Sequence, residues 1–141
     1  LGGVVVDAEG DLVGIVLAST DAEDLAVVTP ADDALSAARS LRDEGRVRRA
    51  WLGVHAVDLS PSAAKLMDVS GGARLTDVTD GSPAQAAGLA SGDVVTKVDD
   101  QAITGASDLV VALRSWTPGD EVTVTWHRGK ASGQTTVTLG G

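Results

Sequence analysis

Residues 48–57 read RRAWLGVHAV and place two arginines directly before a short hydrophobic strand. Guanidinium groups donate charge-assisted hydrogen bonds to anions such as carboxylates. The strand itself carries Gly53, between Leu52 and Val54. A glycine inside a strand and positive charge at its start are the features of this stretch that need a chemical explanation.

Other residue types that carry chemistry are sparse. The two histidines, His55 and His127, fit ordinary polar strand positions better than catalytic ones. The absence of cysteine excludes disulfides, thiol catalysis and cysteine-ligated zinc. Asp99 and Asp100 are typical of a turn, and no alternating run of acidic ligands closed by a glutamate forms a calcium loop. We therefore predict no catalytic residue, no metal site and no cofactor in this chain.

The elements that position these residues begin with a β-hairpin over residues 1–19, in which AEGD forms the turn. A short strand over residues 25–30 follows. Thr29 is predicted to be the N-cap of a helix, with Pro30 at the first helical position and Gly45 at its end. One apolar face of this helix is expected to contain Leu35, Ala38 and Leu41.

After residue 50 the pattern changes to short strands and short helices. Ser60 and Ser82 each precede a proline, and each is predicted to cap a short helix. An amphipathic helix is expected over residues 107–115, and a hairpin is expected over residues 121–139, where apolar and polar residues alternate. We therefore predict a mainly β fold with short helices, of the α+β class.

The composition narrows the classes of function. The formal net charge of −9 repels phosphate backbones, and phenylalanine and tyrosine are absent, so nucleic-acid binding is not expected. No apolar run is long enough to form a transmembrane helix. Because residue 1 is leucine and no basic, apolar leader is present, we expect the chain to be a fragment or a processed piece of a longer protein.

Residues 2–15, GGVVVDAEGDLVGI, resemble the segment that follows the nucleophile in trypsin-like serine proteases of the bacterial HtrA type. Residues 27–54 resemble the last strand, the C-terminal helix and the linker of that protease domain. The resemblance implies that residues 1–50 are the C-terminal remnant of a trypsin-like barrel. It places the family's nucleophilic serine on Leu1, which has no hydroxyl group, so the chain lacks a catalytic triad.

Residues 51–141 resemble a PDZ domain of the same proteases, most specifically in SPAQAAGLASGDVV at residues 82–95. The resemblance implies a partly open β-barrel or sandwich with a groove between a strand edge and a helix. An extended peptide adds to such an edge through backbone hydrogen bonds, while pockets select its side chains. We therefore expect the partners to be C-terminal or extended peptides of other proteins.

In such a groove the terminal carboxylate of the peptide meets several backbone N–H groups. Gly53 is expected to leave room for the carboxylate, which a Cβ would obstruct, and to adopt the required backbone angles. Leu52 and Val54 are expected to line the pocket for the last side chain of the peptide. Arg48 and Arg49 either assist the carboxylate or form a solvated basic linker, and the sequence leaves both interpretations open.

The second wall of the groove is expected to be the helix over residues 107–115. The resemblance implies that Val110 and Leu113 face the peptide and that Leu109 and Ala112 face the core. Helical spacing supports two faces but does not identify them, so a helix whose apolar residues are all core is the alternative.

Near the start of this helix stands the small residue Ala106. Some PDZ domains place a polar partner there for a serine or threonine of the ligand, so we expect a preference for apolar C-termini. The complete set of predicted peptide-binding residues is Trp51, Leu52, Gly53, Val54, His55, Ala106, Val110 and Leu113.

The resemblance implies a PDZ module that regulates or feeds the proteolysis of unfolded proteins. Two alternatives concern Leu1: an active endopeptidase in which this residue is engineered or misplaced, or a pseudoprotease that acts as a sensor or scaffold. Residues 1–45 are expected to pack against the absent part of the protease domain, another copy of the chain or the second domain. The family implies an extracytoplasmic location, in the periplasm, at the cell envelope or secreted, with a membrane anchor upstream as an option.

Overall fold

The computed structural model describes residues 3–20 and 25–141. The chain divides into two compact units, Leu1–Val47 and Arg48–Gly141. Leu1, on which the resemblance places the family's serine, lies outside the described residues.

The first unit is a three-stranded antiparallel sheet with one helix against it. The sheet consists of β1 (Val4–Val6), β2 (Leu12–Thr20) and β3 (Leu25–Pro30), in that order. Helix α1 (Ala31–Glu44) packs on β2 and β3. The predicted hairpin, strand and helix are therefore confirmed.

Helix α1 begins one residue later than the sequence predicts. In the ladder between β2 and β3, Thr29 pairs with Ile15 and Pro30 pairs with Gly14. This pairing keeps Thr29 in the strand, so Pro30 takes the N-cap position with φ −54° and ψ 145°, and the prediction of Thr29 as N-cap is wrong. Gly45 ends the helix in the left-handed conformation, with φ 71°, as predicted.

The apolar face predicted for α1 is exposed. Leu35 and Leu41 are 44% and 53% exposed, and no residue of α1 is buried. The half-buried positions are instead Ala31, Ala34, Ala37 and Ser40, which lie three residues apart on one face. Apolar side chains of the strands are exposed as well, namely Val4, Val6, Leu12, Val13, Leu17, Val27 and Val28. The described residues thus leave much of the apolar surface of this unit uncovered.

The second unit is a larger antiparallel sheet with three short helices. Its elements are β4 (Val54–Asp58), α2 (Pro61–Met67), β5 (Ala73–Val78), α3 (Pro83–Ala86), β6 (Val94–Val98), β7 (Gln101–Ala102), α4 (Ala106–Leu113), β8 (Glu121–Arg128) and β9 (Ala131–Thr138). The strand order is β4-β5-β6-β8-β9, and β7 pairs with β6. The sheet is open, with β4 and β9 at its edges. The fold is mainly β with short helices, as predicted.

The core of the second unit explains its sequence pattern. Val122 and Val124 of β8 are buried and alternate with less buried polar residues, as predicted. Ser60 and Ser82 cap α2 and α3 through side-chain oxygens that accept the backbone N–H three residues later, at 3.3 and 3.2 Å. Both predicted caps are confirmed.

An ion pair between buried Asp93 and exposed Arg128 fixes the loop before β6 to β8. Asp93 is fully buried, and its carboxylate accepts hydrogen bonds from Arg128 Nε (2.6 Å) and from the Ala90 backbone N–H (2.9 Å). Arg128 also donates to the Gly88 carbonyl oxygen at 3.1 Å and lies 5.1 Å from the centroid of the Trp126 ring. Burial opposes the ionisation of Asp93, but the hydrogen bonds and the charge of Arg128 outweigh it, so the pKa of Asp93 is lowered.

Candidate functional site

Strand β4 lies at the edge of the sheet with one side unpaired. Among the described residues its only strand partner is β5. An unpaired edge presents backbone N–H and C=O groups to whatever lies beside it. Strand β4 is therefore able to accept a further strand.

The hydrogen bonds to β5 show which backbone groups of β4 face outwards. Val54 lies opposite Val78 in the ladder, and the bond that spans this pair runs from the Thr79 N–H to the Gly53 carbonyl oxygen at 2.9 Å. In an antiparallel ladder this pattern marks a non-hydrogen-bonded pair, whose N–H and C=O groups point away from the partner strand. The N–H of Val54 therefore faces the open edge.

The same reasoning applies at the other end of β4. Asp58 lies opposite Ala73, and the bond that spans this pair runs from the Leu59 N–H to the Gly72 carbonyl oxygen at 2.9 Å. Asp58 and, by alternation, Ala56 also direct their N–H groups to the open edge. Alternate residues of β4 thus offer hydrogen bonds to an added strand.

Two further donors stand just before β4. The carbonyl oxygens of Leu52 and Gly53 accept bonds from the N–H groups of Ala84 (3.0 Å) and Thr79 (2.9 Å), but no hydrogen bond among the described residues uses the N–H of Leu52 or Gly53. Gly53 adopts a φ of 81°, and a left-handed residue in a turn lets successive N–H groups converge on an anion. The backbone from Leu52 to Val54 is therefore a candidate carboxylate site.

The structure corrects one reason given for the glycine at position 53. A Cβ added to Gly53 would collide with the Cβ of Ser82, and it would lie 2.9 Å from Ser82 Oγ and 3.1 Å from Trp51 Cζ2. Ser82 is fully buried and is the N-cap of α3. The missing side chain thus makes room for the α3 cap and not for a ligand carboxylate. The unusual backbone angle expected of Gly53 is present.

Trp51 lies beside this turn and is 44% exposed. Its backbone exchanges two hydrogen bonds with Gly140, at 2.8 and 2.9 Å. Its indole ring covers Gly53 and Gly140, because a Cβ at either glycine would lie within 3.3 Å of a ring atom. Trp51 is therefore a firmly held indole next to the candidate carboxylate site.

Helix α4 packs against β4 and β5. Leu109 and Ala112 are buried in the core, Leu113 is half-buried, and Val110 is 54% exposed. The alternative in which every apolar residue of this helix is core fails at Val110. Ala106, at the start of the helix, is half-buried.

The side chains of β4 alternate between two faces. Val54 and Ala56 are half-buried and pack against the core, whereas His55 is exposed. Because successive side chains of a strand point to opposite faces, His55 lies on the face opposite to Val54 and Ala56, and its contact with a ligand stays a prediction. Leu52 is 1% exposed and belongs to the core. It therefore supports the groove from inside instead of lining the pocket as predicted.

One residue of this region is absent from the predicted site. Asp58 Oδ1 accepts a hydrogen bond from the Ala106 N–H at 2.8 Å, which joins the end of β4 to the first residue of α4. The start of α4 is held further by Asp108, which accepts the hydroxyl (2.5 Å) and the N–H (2.9 Å) of Thr104. These bonds lower the pKa of Asp108. Sequence reasoning missed Asp58 because its partner lies 48 residues away and no local motif joins the two.

The remaining predicted residues lie outside the open edge itself. Arg48 and Arg49 are exposed and precede the bridge between Trp51 and Gly140, and their role in carboxylate binding stays a prediction. His127 lies in β8, three strands away from β4.

Other parts of the described chain do not bring together the titratable or metal-ligating side chains that a functional site needs. A hollow of about 190 Å³ lies between α3 and β9, and its walls are proline, alanine, valine and threonine, with no titratable side chain. Within residues 3–20 and 25–141, no group of three or more histidine, aspartate or glutamate side chains is placed to hold a metal ion. No helix in these ranges has the length and apolarity to cross a membrane.

Comparisons with known proteins agree with this geometry. A family model described as PDZ domain matches residues 50–139. The chain is 37% identical over 153 residues to the "Serine protease Do-like HtrA" of Lactococcus lactis subsp. lactis, an alignment that covers 98% of this chain and 38% of that protein. It is 33% identical over 145 residues to the "Probable periplasmic serine endoprotease DegP-like" of Halomonas elongata, with coverage of 99% and 31%.

Among solved structures, the "HtrA-type protease AlgW with tripeptide" matches with a TM-score of 0.79 and 27% identity. The match covers 98% of this chain and 48% of that one. The chain therefore spans about a third of the length of these two curated relatives and about half of the solved structure.

Proposed function

The chain belongs to the PDZ domain family, as the PDZ domain of an HtrA-type serine protease, and from this premise we propose that residues 48–141 bind the C-terminal ends of other polypeptides. The bound tail lies along the open edge of β4, with α4 as the second wall. Its terminal carboxylate accepts hydrogen bonds from the backbone before β4. The tail runs antiparallel to β4, because its last residue lies at the beginning of that strand.

The observation that carries this proposal is a set of free donors at one end of an unpaired edge. Leu52 and Gly53 have N–H groups that no described residue uses, and the N–H of Val54 faces outwards next to them. Three donors of this kind suit the carboxylate that ends a peptide chain, since that group accepts several hydrogen bonds at once. A ligand strand that continued past Gly53 would have no terminal carboxylate at these three N–H groups.

The side chains of the groove support a preference for apolar tails. Val54 and Leu113 are half-buried and Val110 is largely exposed, so each has apolar surface that a ligand side chain is able to cover. Neither β4 nor α4 contains a lysine or an arginine that would attract an acidic side chain of the ligand. We expect dissociation constants in the micromolar range, or roughly −8 kcal/mol.

The relatives extend the proposal to the parent protein. Two relatives are named serine proteases, one of them periplasmic, and the solved neighbour is named as a complex with a tripeptide. We propose that this PDZ domain works in an extracytoplasmic protease, where tail binding regulates or feeds the degradation of unfolded proteins.

Peptide titration tests the proposal. Pairs of apolar peptides with a free or an amidated C-terminus are titrated against the chain, with the fluorescence of Trp51 and calorimetry as independent signals. Free-carboxylate peptides are expected to bind at least tenfold more tightly than their amides, about 1.4 kcal/mol. Trp51→Phe should remove most of the fluorescence change while the heat of binding persists. Equal binding of acid and amide would exclude carboxylate capture.

A further inference from the structure

Strand β5, which lies behind β4, carries an exposed cation on the face of the sheet opposite to the main core. Arg74 stands between two fully buried residues of β5, so its side chain points to that other face. In the ladder Arg74 lies opposite Val57 of β4, and Asp77 lies opposite His55. All four of these side chains are exposed, and together they form the outer face of the groove.

The charge of Arg74 is uncompensated within the part of the chain that the structure describes, where this side chain has neither an ion pair nor a hydrogen bond. On its β6 side lies Val94, which is buried in a cluster with Leu59 and Ala64. On its β4 side lies the exposed Val57. The open space beside the guanidinium therefore lies over Val57, and the apolar stem of an arginine is able to cover such a side chain.

The proposed tail brings its side chains to the outer face at fixed positions. When its carboxylate is held at the start of β4, its last residue lies opposite Val54, its second-last residue opposite His55 and its fourth-last residue opposite Val57. Residues paired across neighbouring strands point to the same face. The bulge between β4 and β5 has its extra residue, Thr76, in β5, so the register along β4 is unbroken. The second-last and fourth-last side chains of the tail therefore reach the outer face.

Resting on the proposed function, we propose that Arg74 selects tails whose fourth residue from the end is glutamate or aspartate. The tail lies two strand spacings from β5, about 9.5 Å, and the ligand carboxylate and the guanidinium bridge this distance by approaching each other over Val57. Asp77 lies beside the second-last position and repels an acid there. The last and third-last side chains point to the apolar face of the groove, so this selection is compatible with an apolar tail end.

The test uses three acetylated pentapeptides with free C-termini: Ala-Glu-Val-Ala-Val, its glutamine counterpart Ala-Gln-Val-Ala-Val, and the isomer Ala-Ala-Val-Glu-Val. Calorimetry is done at pH 8, where histidine is normally neutral, and in about 20 mM salt. The wild-type chain should bind the first peptide at least twofold more tightly than the glutamine peptide and at least threefold more tightly than the isomer. Both ratios should shrink in about 0.5 M salt, because salt screens exposed charges. The net charge of −9 disfavours both acidic peptides, so it does not produce this order.

Two variants of Arg74 assign the preference to this side chain. Arg74→Met removes the charge and keeps an apolar stem, so the glutamate peptide should bind no more tightly than the glutamine peptide. Arg74→Lys is the matched control, because it keeps the charge and should retain the preference for glutamate. Urea unfolding checks that each form is folded. A merely structural role of Arg74 would weaken all three peptides in parallel and leave their ratios unchanged.

The outcomes separate this inference from the proposed function. If the wild-type chain binds the glutamine peptide but binds the glutamate peptide no more tightly, selection by Arg74 is wrong and tail binding stands. The same conclusion follows if folded Arg74→Met keeps the wild-type ratio. If the glutamine peptide does not bind the wild-type chain, the proposed function fails and this inference fails with it.

Discussion

At Gly53 the main chain turns with a φ of 81° directly before the open edge of β4. The turn presses the backbone against buried Ser82, the N-cap of α3. The unusual backbone angle of Gly53 was predictable from the sequence. The contact with Ser82 was not, because it depends on how α3 packs against the start of β4. The candidate carboxylate site and the α3 cap are therefore built on the same contact.

Gly53→Ala is expected to destabilise the second unit. A left-handed backbone costs about 1–2 kcal/mol for a residue that carries a Cβ, and overpacking against Ser82 adds about 1–3 kcal/mol. Gly88→Ala is the matched control, because Gly88 has nearly the same φ of 83° but no atom within 4 Å of the added Cβ. Urea unfolding measures both variants. If they lose the same free energy of unfolding, the crowding at Ser82 has no energetic weight.

The ion pair of Asp93 and Arg128 gives a pH-dependent prediction. Since the pKa of Asp93 is lowered in the folded chain, its stabilisation is present above the ordinary aspartate pKa of about 3.9 and is lost as the pH falls through the folded value. Arg128→Met removes the main partner and leaves burial, which raises the pKa. The variant should therefore be less stable than the wild type at pH 7, and the difference should shrink towards pH 3.

Denaturant unfolding at the two pH values checks this, with Arg74→Met as the control because Arg74 is exposed on β5. The control should match the wild type at both pH values. An equal loss of stability in Arg128→Met at pH 7 and at pH 3 would mean that the charge of Asp93 is not what the arginine stabilises.

At the scale of elements, local sequence signals were sufficient to predict most boundaries of helices and strands. They were insufficient to predict the contacts that form the groove. The serine–proline pairs placed α2 and α3 correctly because a cap depends on neighbours within one turn. Thr29 failed as a cap because pairing with β2 keeps it in β3. Asp58 was missed for the same physical reason, since its bond to Ala106 is set by tertiary packing. The unpaired edge of β4 was expected only through the family resemblance.

Proline substitutions test the outward direction of the β4 backbone. Ala56 directs its N–H to the open edge, whereas that of His55 points to β5 in the same ladder. Proline is tolerated in an edge strand only where the lost N–H faces solvent. Ala56→Pro should therefore keep the fold and weaken peptide binding at least tenfold, while His55→Pro should unfold the strand. Circular dichroism and calorimetry measure the two effects, and unchanged binding in folded Ala56→Pro would contradict the assigned direction.

At the scale of the whole chain, the two units differ in how much apolar surface they bury. The second unit has a continuous core that includes Leu75, Val95 and Val124. The first unit exposes apolar residues on its helix and strands, and α1 buries none of its residues. The sequence resemblance predicted the order of elements over the chain. It did not predict how far the apolar side chains of the first unit are buried, because their burial depends on what packs against that unit.

Separate expression of the two units tests this difference. Residues 48–141 should unfold cooperatively with a thermal midpoint within a few degrees of the full chain, because the core of that unit lies within it. Residues 1–47 alone should lack cooperative unfolding, since a small sheet with little buried apolar area is not stable by itself. Calorimetry of the two pieces decides the matter. A cooperative transition in the 1–47 piece would show that it needs no covering surface.

The central claim is that the tail of another polypeptide adds to the open edge of β4, and amide hydrogen exchange by NMR tests it most directly. On addition of a free-carboxylate apolar peptide, the outward amides of Val54 and Ala56 should become protected at least tenfold, together with the unused amide of Gly53. The inward amide of His55 should change little, because β5 already holds it. Protection that appears elsewhere, while Gly53, Val54 and Ala56 exchange as before, would contradict the account.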